Sequence, residues 1–197
     1  MNTITLILKL ALVLLLCYLL LFLLTGYDPS SSAFTPPFVL WVMDTVNLFI
    51  HEAGHFFLKP FGMFLHILGG SLVQVGLPAA LLLVTWRQNW AHAGYAAFWV
   101  GQSLVNVSVY IQDAPVRKLR LIARGLIHDW AWLLNGRLEL AAPLAAVVYW
   151  TGILVCGASV GLLVVAAINA YRESRAPGSD REDLLRISRA TRRTIAG

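Results

Sequence analysis

The residues best suited to chemistry are two histidines and a glutamate in the segment His51–His55, which reads HEAGH. On a helix, His51 and His55 lie one turn apart on the same face, so both imidazoles can reach one metal ion. Glu52 lies about 100° around the helix, where its carboxylate can touch a metal-bound water rather than the metal. This is the HExxH arrangement of zinc hydrolases, and it predicts Zn²⁺ with Glu52 as the catalytic general base.

The motif lies within Phe38–Leu58, a mostly apolar segment that is long enough to cross a bilayer. Asp44, Asn47, His51 and His55 recur in it at intervals of 3, 4 and 4 residues, so they share one helical face. Ionisable groups at membrane depth are costly, and such a cluster therefore indicates a functional site.

A second polar stripe lies on a later apolar segment, where Gln102, Asn106, Tyr110 and Asp113 are spaced 4, 4 and 3 residues apart. Two polar stripes in a membrane bundle should face each other, because lipid would reject both. If the intervening helix spans fully, Asp113 lies at a depth similar to that of the histidines. Asp113 is therefore the preferred third metal ligand, and a two-histidine, one-carboxylate set leaves one position for water.

Three further residues are candidates for the surroundings of the metal. His128 and Asp129 lie in a polar connection on the same side, and either could complete the metal shell, orient a ligand histidine or bind substrate. Asp44 is too far along the helix from His55 to bind the same ion. Its expected role is that of an outer partner of His51.

Composition places this chain among integral membrane proteins. It has 197 residues, of which 58% are apolar and only 13% charged, whereas soluble domains have roughly 25% charged residues. The net charge is +5, and seven of the fifteen basic residues are arginines after Tyr171. That tail is expected at the membrane surface or in solvent, and nucleic-acid binding is not expected because no aromatic residues accompany the arginines.

The predicted fold is an all-α bundle of about five transmembrane helices within residues 1–170, followed by a short amphipathic tail, 171–197. The expected helices are Ile4–Leu24, Phe38–Leu58, Phe61–Trp86, Ala93–Ile111 and Leu140–Ala170. The third could be bent or interrupted at Gly69, Gly70 and Pro78, and its first part could be re-entrant. Orientation stays open, because with five spans the basic connection and the arginine tail fall on opposite sides.

The two polar segments resemble the site-2 protease family of intramembrane zinc metallopeptidases over residues 38–115. The resemblance rests on HEAGH in an early membrane helix and on a later asparagine and aspartate, Asn106 and Asp113, at an interval similar to that of the family's second motif. That motif has prolines and ends in Leu-Asp-Gly, whereas Gln112 and Ala114 flank the aspartate here. The resemblance implies that Asp113 is a zinc ligand and that Asn106 binds substrate.

A shorter stretch is similar to a group of bacterial membrane proteins that carry a peptidase-like HEAGH. The similarity lies in Tyr110–Ala114 and in His128–Trp130, which read YIQDA and HDW. It implies an integral protein of a bacterial inner membrane.

Three functional hypotheses follow from these residues. The first is a zinc peptidase that cleaves a transmembrane peptide substrate inside the lipid bilayer, with Glu52 as general base. The second is a non-proteolytic metal-binding or scaffold protein that retains a peptidase-like site. The third is a transporter with a proton relay of buried carboxylates, against which the lack of inverted repeats argues.

Overall fold

A computed structural model of the protein describes residues 3–119 and 128–175. In these two ranges the chain is helical and forms no strand. The helices are α1 (Thr3–Thr25), α2 (Phe38–Leu58), α3 (Met63–Gln88), α4 (Trp90–Asp113), α5 (Asp129–Leu133) and α6 (Ala141–Arg175). Single 3-10 turns, Lys59–Phe61 and Leu138–Leu140, precede α3 and α6. Of the predicted amphipathic tail, residues 176–197 lie outside the described residues.

The five long segments expected from the sequence are all helical. The segment α3 is one continuous helix, so the interruption considered at Gly69, Gly70 and Pro78 does not occur. Both glycines are buried against α2, and Pro78 is buried within the bundle. A membrane helix can contain glycine and proline because groups on neighbouring helices satisfy the backbone hydrogen bonds that these residues weaken or remove.

Three of the helical segments, Ile4–Thr25, Met63–Gln88 and Leu138–Arg172, are long and apolar enough to cross a membrane. They indicate a membrane protein. The helices α2 and α4 have comparable lengths, 21 and 24 residues. They carry the two polar stripes, which make them less apolar, and those stripes do face each other across the bundle.

Glycines bring the helices of this bundle into backbone contact. A Cβ added at Gly152 of α6 would lie 2.6 Å from the carbonyl oxygen of Gly101 on α4. The same helices are joined where the Ser159 hydroxyl donates to the carbonyl of Gly94, at 2.6 Å. On the other side, a Cβ at Gly69 of α3 would lie 2.7 Å from the carbonyl oxygen of Gly54 on α2. These small residues permit the close helix packing that membrane bundles use.

The helix α1 packs against α6 and α4. Its Leu19 and Leu23 are fully buried in one apolar cluster with Phe98 and Cys156. The Tyr149 hydroxyl of α6 donates to the carbonyl of Leu23 at 3.1 Å. This packing places the chain that leaves α1 next to the middle of the bundle, where the polar residues of α2 and α4 lie.

Candidate metal centre

The structure brings His51, His55 and Asp129 together at one point. The Nε2 atoms of His51 and His55 lie 2.8 and 3.2 Å from Oδ2 of Asp129. One ligand atom from each of the three residues lies within 4.8 Å of the other two, so the group could hold a metal ion. The side chains of His51, His55 and Asp129 are only 10%, 14% and 16% exposed.

The proton on the His55 ring is located by a hydrogen bond to α3. Nδ1 of His55 lies 2.7 Å from the carbonyl oxygen of His66, and Nδ1 of His66 lies 2.9 Å from the carbonyl oxygen of His55. Because a carbonyl oxygen can only accept, both Nδ1 atoms must carry protons. In a neutral His55 ring, Nε2 is therefore unprotonated, and its lone pair faces Asp129.

The proton on the His51 ring is placed on Nδ1 in the same way, by a side chain of α3. Its Nδ1 lies 3.0 Å from Oε1 of Gln74, whose amino group donates to Oδ1 of Asn106 at 2.8 Å. The amide oxygen can only accept, so Nδ1 of His51 carries the proton and Nε2 is again a lone pair. The ring also stacks on Tyr110, with 6.1 Å between the ring centroids.

Three acceptor atoms thus converge, the two Nε2 lone pairs and an oxygen of Asp129. Such a set is stable when a cation, a metal ion or a proton, lies between its members. Ligand atoms about 2.0–2.1 Å from one tetrahedral ion are about 3.3 Å apart, and the separations of 2.8 and 3.2 Å need only a small opening to reach this value. The residues therefore fit a metal ion.

The pKa of the Asp129 carboxyl is lowered by the two histidines beside it. Its burial acts to raise its pKa, but in the metal-free protein His51 and His55 that are also protonated at Nε2 donate hydrogen bonds to it and carry positive charge, and together these effects place the pKa below the ordinary value. The carboxylate form, which a metal ion requires, is therefore favoured at neutral pH.

The short helix α5 positions Asp129, which is its first residue. The indole N–H of Trp130 donates to the Ser71 hydroxyl on α3 at 3.1 Å, and the Trp130 ring packs against the core between α4 and α6. His128 precedes the helix as its N-cap residue and is not a member of the ligand group. Of the two candidates in this connection, the structure thus places only Asp129 against the histidines.

The predicted third ligand, Asp113, has a different place in the structure. Its Oδ1 accepts the backbone N–H of Lys118 at 2.8 Å, and its Oδ2 accepts that of Leu119 at 3.0 Å. The carboxylate thus closes the turn that follows α4, and Asp129 instead of Asp113 meets the histidines.

Asp44 and Asn106 lie in a buried polar network beside the ligand group. Oδ1 of Asp44 accepts from the Tyr27 hydroxyl at 2.7 Å, from Gln102 at 2.7 Å and from Asn106 at 3.1 Å. Asp44 is therefore connected to His51 only indirectly, and Asn106 serves this network. Tyr27 was not predicted to belong to the site, because the segment after α1 carries no helical pattern that would assign it a face.

Glu52 lies beside the ligand face of α2 and is half-buried. Its charge interacts with His55 and with Tyr110. The carboxylate thus lies close to the ligand group without belonging to it.

A glycine on α3 makes room for the His51 ring. A Cβ at Gly70 would overlap Nε2 of His51 and would lie 2.6 Å from both Cδ2 and Cε1. Gly76 is on the same helix, and a Cβ there would meet no atom within 4 Å. Comparing alanine at Gly70 with alanine at Gly76 therefore separates the effect of contact with the His51 ring from the effect of placing alanine in this helix.

We expect Gly70→Ala to displace the His51 ring and to lower metal affinity roughly 10-fold or more, as loss of an outer contact of a metal ligand does. Its thermal stability should also fall, because overpacking costs about 1–3 kcal/mol. Chelator competition and thermal unfolding in detergent would measure both, with Gly76→Ala expected to match the wild type. Equal behaviour of the two variants would contradict the packing argument.

Comparisons with known proteins add no family to this description. A scan of protein-family models finds no match to the chain, and searches of curated proteins and of solved structures find none. Its function is therefore inferred from the geometry of its own residues.

Proposed function

We propose that the protein is an intramembrane zinc-dependent hydrolase, a peptidase that cleaves membrane-embedded peptide segments. The observation that carries this proposal is the convergence of two Nε2 lone pairs and the Asp129 carboxylate, with Glu52 on the adjacent helical position. Metal ligands and a neighbouring carboxylate base are the two parts that zinc hydrolysis needs.

The donor set supports zinc as the ion. Two imidazole nitrogens and one carboxylate oxygen suit Zn²⁺, and three protein ligands leave a fourth position for water or substrate. Each histidine also donates its other ring N–H to an oxygen acceptor, which is the usual outer arrangement of zinc-binding histidines.

The proposed reaction assigns one role to each residue. Bound zinc would supply a Lewis acid that polarises a carbonyl and lowers the pKa of a coordinated water. Glu52 would take the proton from the attacking water and deliver it to the leaving amine. His51, His55 and Asp129 would hold the ion, and Tyr110 would fix the plane of the His51 ring by stacking on it.

The membrane arrangement that we propose has five spans, with α2 and α4 crossing in addition to α1, α3 and α6. Their polar side chains bond to one another across the bundle, as Asn47 does with Gln102 at 2.7 Å, so lipid does not contact them. A substrate helix would have to unwind locally to bring its backbone to the metal. The similarity of the YIQDA and HDW segments to bacterial membrane proteins favours a bacterial inner membrane.

The low exposure of the three ligand side chains favours a second candidate function. A peptide backbone needs open space beside the metal, whereas His51, His55 and Asp129 expose only 10–16% of their side chains. A membrane protein that binds the metal without proteolysis requires no such space.

Metal analysis tests the property that both candidates share. Wild-type protein purified in detergent is expected to carry about one zinc per chain through its three protein ligands. The variant His51→Ala/His55→Ala should carry none and is the control for adventitious metal. Equal metal content in the two proteins would refute the metal centre and both candidate functions.

A further inference from the structure

The buried network of carboxamides has a fixed direction of hydrogen bonding. The indole N–H of Trp99 can only donate, and it bonds to Oδ1 of Asn47 at 2.8 Å. The amino group of Asn47 therefore faces Oε1 of Gln102 at 2.7 Å, and the amino group of Gln102 faces the Asp44 carboxylate at 2.7 Å. Because a carboxamide has one donor end and one acceptor end, the orientation of each group fixes the next.

A second arm of the network runs from Asp44 to the ligand group. The amino group of Asn106 donates to Asp44 at 3.1 Å and to the Tyr27 hydroxyl at 2.8 Å. Oδ1 of Asn106 then faces the amino group of Gln74 at 2.8 Å, and Oε1 of Gln74 faces Nδ1 of His51 at 3.0 Å. Both arms thus end on the Asp44 carboxylate.

Burial makes this orientation hard to change. Gln74 is 1% exposed and Asn106 is 8% exposed, so water has little access to replace a lost partner. If Gln74 turned over, its amino group would face Nδ1 of His51 and would require a lone pair there. The proton would then lie on Nε2, and His51 could not bind the metal through that atom.

We propose that Asn106 is a positioning residue of the metal centre, which acts through Gln74. Anchored on Asp44 and Tyr27, it keeps the oxygen of Gln74 toward His51 and thereby keeps the Nε2 lone pair of His51 available. This role rests on the proposed metal-binding function. It also differs from substrate binding, because Asn106 acts through hydrogen bonds within the protein.

The test uses one substitution that allows the Gln74 carboxamide to rotate by 180°, and a second that replaces this carboxamide with a carboxylate, for which the rotation makes no difference. Asn106→Leu removes the acceptor for the Gln74 amino group, so this carboxamide can adopt either orientation. Asn106→Leu/Gln74→Glu places an acceptor at Nδ1 of His51 in every orientation. Gln112→Leu removes a carboxamide from the same helix that is not part of the network, and it is the matched control.

The first measurement is the ¹⁵N spectrum of the His51 ring in metal-free protein. It is made with Asp129→Ala in every sample, since this removes the competing acceptor at Nε2, and at a pH about two units above the ordinary imidazole pKa. The parent and Gln112→Leu should show a protonated Nδ1. Asn106→Leu should show a protonated Nε2 or a mixture, and the added Gln74→Glu should restore the protonated Nδ1.

The second measurement is zinc affinity by chelator competition, with Asp129 intact. Asn106→Leu is expected to bind zinc roughly 10- to 100-fold more weakly, the effect of losing an outer partner of a metal ligand. Gln74→Glu should recover most of this loss. If Asn106 only stabilised the fold, Gln74→Glu would not be expected to restore the zinc affinity that Asn106→Leu loses.

The outcomes separate the positioning role from the proposed function. If no variant binds zinc, including the wild type, the metal centre is refuted, while the ¹⁵N spectra still test the role of Asn106. A fully protonated Nδ1 in Asn106→Leu would overturn that role. If Asn106→Leu does not fold, Gln74→Met interrupts the same chain one step nearer to His51, and a fully protonated Nδ1 there would also overturn it.

Discussion

Replacing Asp129 by alanine should lower zinc affinity by more than about 100-fold, beyond the effect of losing an outer partner of a ligand. The reason is that Oδ2 of Asp129 lies 2.8 and 3.2 Å from the two imidazole nitrogens and would supply the third ligand of the proposed metal centre. Asp113→Ala should retain zinc, because the oxygens of Asp113 accept backbone N–H groups instead.

Chelator competition on the two purified variants would measure this difference. The two changes are chemically identical and differ only in position, so each is the control for the other. Asp113→Ala should lower thermal stability, since it leaves two backbone N–H groups without their acceptor. Zinc loss in Asp113→Ala with retention in Asp129→Ala would reverse the assignment and return the third ligand to Asp113.

Glu52→Gln should abolish hydrolysis and leave zinc binding near the wild-type level. The substitution preserves the shape of the side chain and removes its ability to accept a proton, and general base catalysis contributes about 10²- to 10⁴-fold to a rate. Because Glu52 is not part of the ligand group, the metal should stay bound.

The measurement compares cleavage of a model transmembrane peptide by the two proteins in liposomes, together with their zinc content. Wild-type cleavage that persists unchanged in Glu52→Gln would refute the role of this residue. Zinc binding by the wild type without cleavage of any of a broad set of membrane peptides would favour the non-proteolytic metal-binding function.

The helices were largely predictable from the sequence because long apolar runs are bounded by clear breakers. The helix α2 begins and ends at the predicted residues, Phe38 and Leu58, between Pro37 and the turn at Lys59-Pro60. The short helix α5 was expected only as part of a polar connection, since five residues show no period from which a helix can be recognised.

Periodicity also predicted which faces of α2 and α4 meet. Asp44, Asn47, His51 and Asn106 do lie in one connected region. The choice between Asp113 and Asp129 could not be made in this way. Asp113 is the last residue of α4 and Asp129 the first residue of α5, and which of the two meets the histidines depends on how these helices pack, which spacing along the sequence does not determine.

The reciprocal hydrogen bonds of His55 and His66 join α2 to α3 through a residue that also belongs to the ligand group. One imidazole offers Nε2 to the ligand group and donates through Nδ1 to the backbone of α3, at 2.7 Å. A metal ion bound at Nε2 would withdraw electron density from the ring and make the N–H at Nδ1 a stronger donor, so metal ligation and the pairing of α2 with α3 would reinforce each other. If the proposed metal ion tightens the helix pair, thermodynamic linkage requires the reverse coupling to be equal: a change that loosens the pair would weaken metal binding by the same free energy.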